Sequence, residues 1–327
     1  MPRVTMMGQG HRGITPRPQP TKVLQAIVLP GIGDVIYTWY KLINYVDMGY
    51  QIDVMCLDCE PQRSHQLMGC LRGMKSFGYV GGFEYGNYWL VNVDDLRQPP
   101  PRSLFNGVPV LHINSWPESG HSMTEFMPNI PFRYDIDITT NETAAEWASG
   151  TLRGSYNNIF LYTSSYRNNL NCNNHPDPDF WIQAALRAHE WSGSDLPPRV
   201  FMVGATYDAD LTMDTYRHLR EMGVMTSLVL DEDIYSVIEL LRGCDLSLCY
   251  ESGFAMLGDC MRVPSLWFIR CQGGNRDDHY FPYSGAVNPE GLGKWMFPFL
   301  YDQDLNDMDG MLSGTRFVDH RNEVMPS

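Results

Sequence analysis

The sequence predicts an α/β protein of two parallel-sheet domains facing each other across a cleft. Three observations carry that prediction. Short apolar stretches with strand character alternate with amphipathic stretches of helical period, the pattern of β-α-β units. The alternation runs twice, on either side of a polar, small-residue segment from Thr139 to Gly154 that has the composition of a linker. The chain, at 327 residues, is long enough to bury two ordinary cores. The expected organisation is an arm over 1–20, an N-terminal domain over 21–150 and a C-terminal domain over 151–327.

Val23 to Leu29 is an apolar run suited to a buried strand, and Pro30-Gly31-Ile32-Gly33 turns the chain into a helix. Val35, Trp39, Leu42 and Val46 recur at helical spacing until Gly49. Gln51 to Leu57 alternates as a second strand, closing a right-handed parallel unit. Gln62 to Met74 reads as a helix with Pro61 before it, Tyr88 to Val93 as a strand, and Val108 to Ile113 as a short central strand. Glu118 to Met127 reads as a helix ended by Pro128.

Beyond the linker, strands are expected at Asn158 to Thr163, Val200 to Gly204, Thr226 to Leu230, Leu246 to Tyr250 and Ser265 to Ile269. Helices are expected at Pro178 to Trp191, Leu211 to Met222, Ile234 to Leu241 and Gly253 to Met261, with Asp231 or Asp233 near the cap of the third. In the first of them Phe180, Trp181, Ala184 and Leu186 are placed inward. The chain after Gly273 is irregular, rich in Gly, Pro and aromatics, and predicts no element.

Charge narrows the function. A formal net charge of −14 argues against a surface built to hold a nucleic-acid backbone. The exception is the start, where Arg3, Arg12, Arg17 and Lys22 precede any acidic residue on a Gly- and Pro-rich arm with no signal-peptide core. No apolar run approaches the length of a membrane span. Eight scattered cysteines fit reduced thiols, and a cytoplasmic location is expected.

Four stretches carry candidate chemistry. The turn at Gly31 and Gly33 lacks the third glycine of a dinucleotide fingerprint, since Ile36 stands there, although Asp58 would supply the acid at the next strand end. No Gly-Lys-Ser/Thr follows, so it is not a phosphate-cradling loop either. What it presents is Asp34 at a helix start, as a reactive carboxylate or as a charge that complements the helix dipole. Glu251-Ser252-Gly253 follows a strand and opens a helix, where backbone N–H groups suit a pyrophosphate and Ser252 suits a cap. Thr163-Ser164-Ser165-Tyr166-Arg167 brings hydroxyls and a cation to another strand end, as a phosphate contact or an ordinary polar loop. Asp208, just past the strand at Val200 to Gly204, is placed to reach a ribose.

At these residues the chain resembles the ADP-heptose:lipopolysaccharide heptosyltransferase family. Gly31-Ile32-Gly33-Asp34-Val35 with Tyr37-Thr38 is similar to that family's start. The segment from Ile238 to Leu246, then Glu251-Ser252-Gly253 and Arg262-Val263-Pro264, is similar to its donor-binding region. The resemblance implies a GT-B fold of two Rossmann-like domains, a nucleotide-sugar donor in the C-terminal domain, and inversion without a metal. It implies Asp34 as general base, Ser252 and Gly253 as the donor phosphate turn, and Ser164 and Ser165 as phosphate-contacting hydroxyls. Arg167 takes the place of the family's lysine, while Glu251 stands where the family has Asp and Met256 where it has His. Trp116-Pro117-Glu118-Ser119-Gly120-His121 resembles phage or environmental members.

The expected function is an inverting, metal-independent glycosyltransferase that moves a sugar from a nucleotide-diphosphate sugar to an acceptor hydroxyl. A sugar hydroxyl is a poor nucleophile near neutral pH, so a carboxylate must take its proton as the bond forms. Glu118 and His121 are candidate auxiliary groups on the acceptor side, or a capping acid and an exposed histidine. A phage enzyme acting on hydroxymethylated DNA bases is a second reading, and a non-catalytic nucleotide-binding protein a third. Asp208-Ala209-Asp210 and Asp135-Ile136-Asp137 fit the metal-binding DxD pattern, which acidic chains also produce by chance. Cys56, Cys59, His65 and Cys70 come close to zinc spacing, although Cys56 also continues the alternation of its strand.

Overall fold

A computed structural model describes residues 22–28, 31–57, 62–80, 110–112, 133, 136–164, 176–250, 252–269 and 296–300. The N-terminal half holds β1 (Lys22–Val28), α1 (Ile32–Asp47), β2 (Tyr50–Leu57), α2 (Gln62–Cys70), β3 (Met74–Val80) and β4 (Val110–His112). After α3 (Glu142–Thr151), the C-terminal half runs β5 (Asn157–Tyr162), α4 (Pro178–Ser192), β6 (Pro198–Gly204), a short 3₁₀ turn (Thr206–Asp208), α5 (Ala209–Glu221) and β7 (Met225–Leu230). It continues with α6 (Ile234–Arg242), β8 (Leu246–Tyr250), α7 (Gly253–Cys260), β9 (Ser265–Ile269) and β10 (Met296–Leu300).

The strands form two sheets, one of four in the order β3-β2-β1-β4 and one of six in the order β10-β9-β8-β5-β6-β7. Every ladder within them is parallel. In each sheet the first strand in sequence lies inside, β1 between β2 and β4 and β5 between β6 and β8. Strand order reverses at those points, and open α/β sheets bind ligands in the crevice beyond the carboxyl ends of such strands.

The second sheet is covered on both faces, which explains why all six residues of β5 are buried. Ile159 and Leu161 join a cluster with Trp181, Ala184, Ala185 and Ala188 of α4. Phe160 and Tyr162, one step along the pleat, join the opposite cluster with Phe254 and Met256 of α7. That second cluster crosses the molecule, because Val35, Ile36, Trp39 and Tyr40 of α1 belong to it too. One apolar seam therefore links the two sheets through α1 and α7.

Four expectations need correction. The helix starting at Gln62 ends at Cys70, not near Met74, because Gly73 turns the chain at φ +78° and Met74–Val80 pairs with β2 as a strand. The stretch read as a linker contains α3, capped by Asn141, whose side chain accepts from the Ala144 amide at 2.8 Å, with Ala144 and Ala148 buried. β4 is not central among the described strands, since it pairs only with β1. The tail beyond Gly273 supplies β10, which extends the second sheet beside β9. The expected strand at 88–93, the helix at 118–127 and the arm lie outside the described residues. Among the described residues no helix is long and apolar enough to cross a membrane.

Candidate functional site

The site is built from strand ends. The first turn leaves β1 at its switch point. Gly31 caps α1 in an extended conformation, φ −70° and ψ 146°, without a side-chain hydrogen bond, and the Val35 amide donates to the Gly31 carbonyl at 3.0 Å. Asp34 thereby stands in the first turn of α1, where the helix dipole favours a negative charge. The helix is anchored by Val35, Ile36, Trp39 and Tyr40, which are fully buried.

The second turn leaves β8, itself buried throughout. Ser252 caps α7, its Oγ accepting from the Phe254 amide at 3.1 Å, and Gly253 is the first helical residue. The Phe254 ring holds the turn down against Tyr162 and Phe160, with centroids 4.9 and 5.5 Å away. The Asp233 cap settles the choice at α6: its carboxylate accepts from the amides of Tyr235 and Ser236.

Between these turns, at the end of β5, Thr163 and Ser164 are wholly buried. Ser164 Oγ donates to Asp208 Oδ2, and the Ala205 amide donates to Asp208 Oδ1 at 2.6 Å. The structure thus joins Ser164 and Asp208, which the sequence placed at two separate strand ends, with Asp208 only 4% exposed. Asp210, two residues on, is exposed, so the carboxylates of that DxD triplet do not share a face.

Three further residues bear on the site, of which the sequence reading missed only Thr212. Thr163 Oγ1 and Thr212 Oγ1 are buried with no hydrogen-bond partner among the described residues. Thr212 lies so close to the end of β6 that a Cβ on Gly204 would fall 2.7 Å from its hydroxyl. Its signal was present, four positions after Asp208 at the start of a helix. The third is Asp231, in the left-handed region at φ 54°, whose carboxylate accepts from Thr206 N at 2.8 Å and Thr206 Oγ1 at 2.5 Å. It pins the turn that carries Asp208.

Ser165, Arg167, Glu251, Glu118 and His121 lie outside the described residues, as do Asp58, Cys59 and Asp135. Of the zinc-spaced residues only the Cys70 side chain is described. Its thiol is buried, donates to the Gln66 carbonyl at 3.5 Å, and is pushed up to about 12 by desolvation. Among the described residues no three His, Cys, Asp or Glu converge as a metal site.

The two main turns meet. A Cβ placed on Gly33 would lie 3.3 Å from the Cα of Gly253. Beside this contact, Tyr40 Oη donates to the Met256 carbonyl at 3.4 Å, and the Cys260 thiol donates to Tyr40 Oη at 3.6 Å.

No protein-family model and no curated protein matches the sequence. Solved structures do match the fold. A glycosyl transferase of family 9 from Veillonella parvula is 12% identical with a TM-score of 0.53, covering 90% of this chain and 90% of that one. The ADP-heptose lps heptosyltransferase II of E. coli is 11% identical with a TM-score of 0.54, covering 89% of this chain and 98% of that one. E. coli heptosyltransferase WaaC with ADP is 11% identical with a TM-score of 0.51, covering 91% of this chain and 99% of that one. The chain therefore has the GT-B fold of two parallel-sheet domains that these glycosyltransferases share.

Proposed function

We propose that the protein is an inverting glycosyltransferase that moves a sugar from a nucleotide-diphosphate sugar to an acceptor hydroxyl, with Asp34 as general base and no metal. The observation that carries this reading is the meeting of two strand–helix turns from different sheets, one bearing a carboxylate and the other a capped helix start. The donor diphosphate lies at the start of α7, where backbone N–H groups and the macrodipole stabilise the charge that develops on the leaving group. Ser164, Ser165 and Arg167 add contacts to it, and Asp208 takes the ribose. The buried hydroxyls of Thr163 and Thr212, lacking partners among the described residues, support a polar ligand at that crevice. Asp34, in the first turn of α1, would accept the acceptor's proton.

The heptosyltransferase named for ADP-heptose and the one solved with ADP favour an adenosine diphosphate sugar as the first donor to test. The acceptor is a glycan or a modified DNA base, and the reaction belongs to the cytoplasm, of the host if the chain is phage-encoded. A panel of nucleotide sugars screened by thermal shift identifies the donor, since a ligand bound to the folded state raises the melting temperature. Proton NMR of the product's anomeric centre then reads the stereochemistry. Inverted product supports the reading, retained configuration contradicts direct displacement with a single base, and binding without transfer or hydrolysis across donors and acceptors favours a non-catalytic binder.

A further inference from the structure

We propose that Gly33 and Gly253 are a matched pair of positioning residues that set the spacing between the reacting turn and the donor turn. The inference rests on the functional reading above for what the spacing serves, but its geometry is independent of it. A Cβ on Gly253 would fall 2.1 Å from Gly33 N, 2.6 Å from Gly33 Cα and 2.7 Å from the carbonyl carbon of Ile32. All three are backbone atoms in the first turn of a helix, so none can swing aside as a side-chain tip would. From the other side, a Cβ on Gly33 would lie 3.3 Å from Gly253 Cα and 3.5 Å from Gly253 N. Any side chain at Gly253 pushes the helix starts apart, and one at Gly33 crowds them by less.

Backbone conformation does not explain these glycines. The described glycines with positive φ are Gly49, Gly73, Gly154, Gly193 and Gly223, and neither Gly33 nor Gly253 is among them. Both sit in ordinary helical turns that alanine would favour by about 1 kcal/mol if nothing lay nearby. What they permit is close approach of two backbones.

The rest of the seam makes the spacing rigid. Behind the glycines α1 and α7 share one apolar cluster, and Tyr40 bridges them through the Met256 carbonyl and the Cys260 thiol. A second contact between the halves lies at α6, where the Ile234 amide donates to Gln66 Oε1 at 3.2 Å. With the helices locked along their length, the glycine pair fixes how near Asp34 stands to whatever α7 holds. A misplacement of about 1 Å between reacting groups is enough to cost on the order of 100-fold in rate.

The test is a double-substitution cycle of Gly33→Ala and Gly253→Ala, with Gly33→Val as a graded step. Three readouts are taken: the urea midpoint, the affinity for a nucleoside diphosphate by calorimetry, and kcat at saturating substrates. Gly33→Ala should lower kcat several-fold and Gly33→Val about 100-fold, with nucleotide affinity held within about twofold because the donor site lies in the other half. The double variant should lose less in midpoint than the two single losses added, since one Cβ already opens the gap the second occupies. Additive midpoint losses would overturn the contact. Coupled midpoints with unchanged kcat, or an affinity loss at Gly33 matching the kcat loss, would overturn the positioning role. The midpoint cycle needs no activity, so a parent chain that transfers no sugar would refute the functional reading while leaving the contact open to refutation on its own.

Discussion

The two turns that meet at the seam share one backbone device and differ in the residues they carry. Each is a parallel strand, a glycine-bearing turn and a helix that joins the apolar cluster between the two sheets. At α1 the cap is Gly31, with no side-chain hydrogen bond, and the sequence places Asp34 in the first turn. At α7 the cap is Ser252, whose hydroxyl already serves the Phe254 amide, and the first turn offers no acid. In the function proposed above, the positive helix end faces an acid of the chain itself in one case and an anionic ligand in the other. The proposed division, one turn to react and one to bind, can be broken at either side.

The largest effect is expected at the reacting turn. Asp34→Asn should lower kcat by about 10²- to 10⁴-fold, the typical worth of a general base, in a transfer assay at saturating donor. At the binding turn the largest effect is on folding. Phe254→Ala removes the ring that anchors α7 against Tyr162 and Phe160 and should cost about 3–5 kcal/mol in urea unfolding. Asp208→Ala strands the Ser164 hydroxyl and the Ala205 amide. It should cost about 1–3 kcal/mol for each group left unsatisfied, together with a weaker nucleotide affinity by calorimetry. Ser252→Ala should cost about 1 kcal/mol, the usual value of a lost helix cap.

Buried groups in both halves also set how stability responds to alkali, Cys70 in the first half among the raised thiols. Burial raises the thiols of Cys244 and Cys249 in the second half above the ordinary 9.0. The unfolded chain then loses those protons first, so stability falls as pH rises past about 9. In α1, burial lowers Lys41 from 10.5 to about 8. There the unfolded chain holds its proton longer, which raises stability between those two values. The net expectation is alkaline loss softened by Lys41, and Lys41→Met should steepen the fall in melting temperature between pH 8 and 10.

Features set by neighbours in sequence were legible, and those set across the molecule were not. The run from Val23 and the glycine turn after it announce a strand and a helix start, because both signals are local. The positions of Ser164 and Asp208 at strand ends followed from counting strands, whereas the hydrogen bond between them did not. The strand Met74–Val80 was hidden because Lys75, Ser76 and Gly78 break its apolar pattern, and pairing with β2 supplies what propensity does not. Helix α3 was hidden by its polar composition, although Asn141 three residues before Ala144 was a readable cap. The use of Gly33 could not be read at all. Its turn looked like a device for bending the chain, whereas its neighbours across the seam lie as far off in sequence as the 216 positions between Tyr40 and Met256.

The most direct measurement is a calorimetric titration of a nucleotide-diphosphate sugar into the parent chain and into Asp34→Asn, with turnover recorded on the same samples. If one turn binds and the other reacts, the two proteins should share a dissociation constant within about twofold while only the parent transfers sugar, the base contributing about 10²- to 10⁴-fold to that step alone. Loss of binding together with turnover in Asp34→Asn, or full turnover without the carboxylate, would contradict the division.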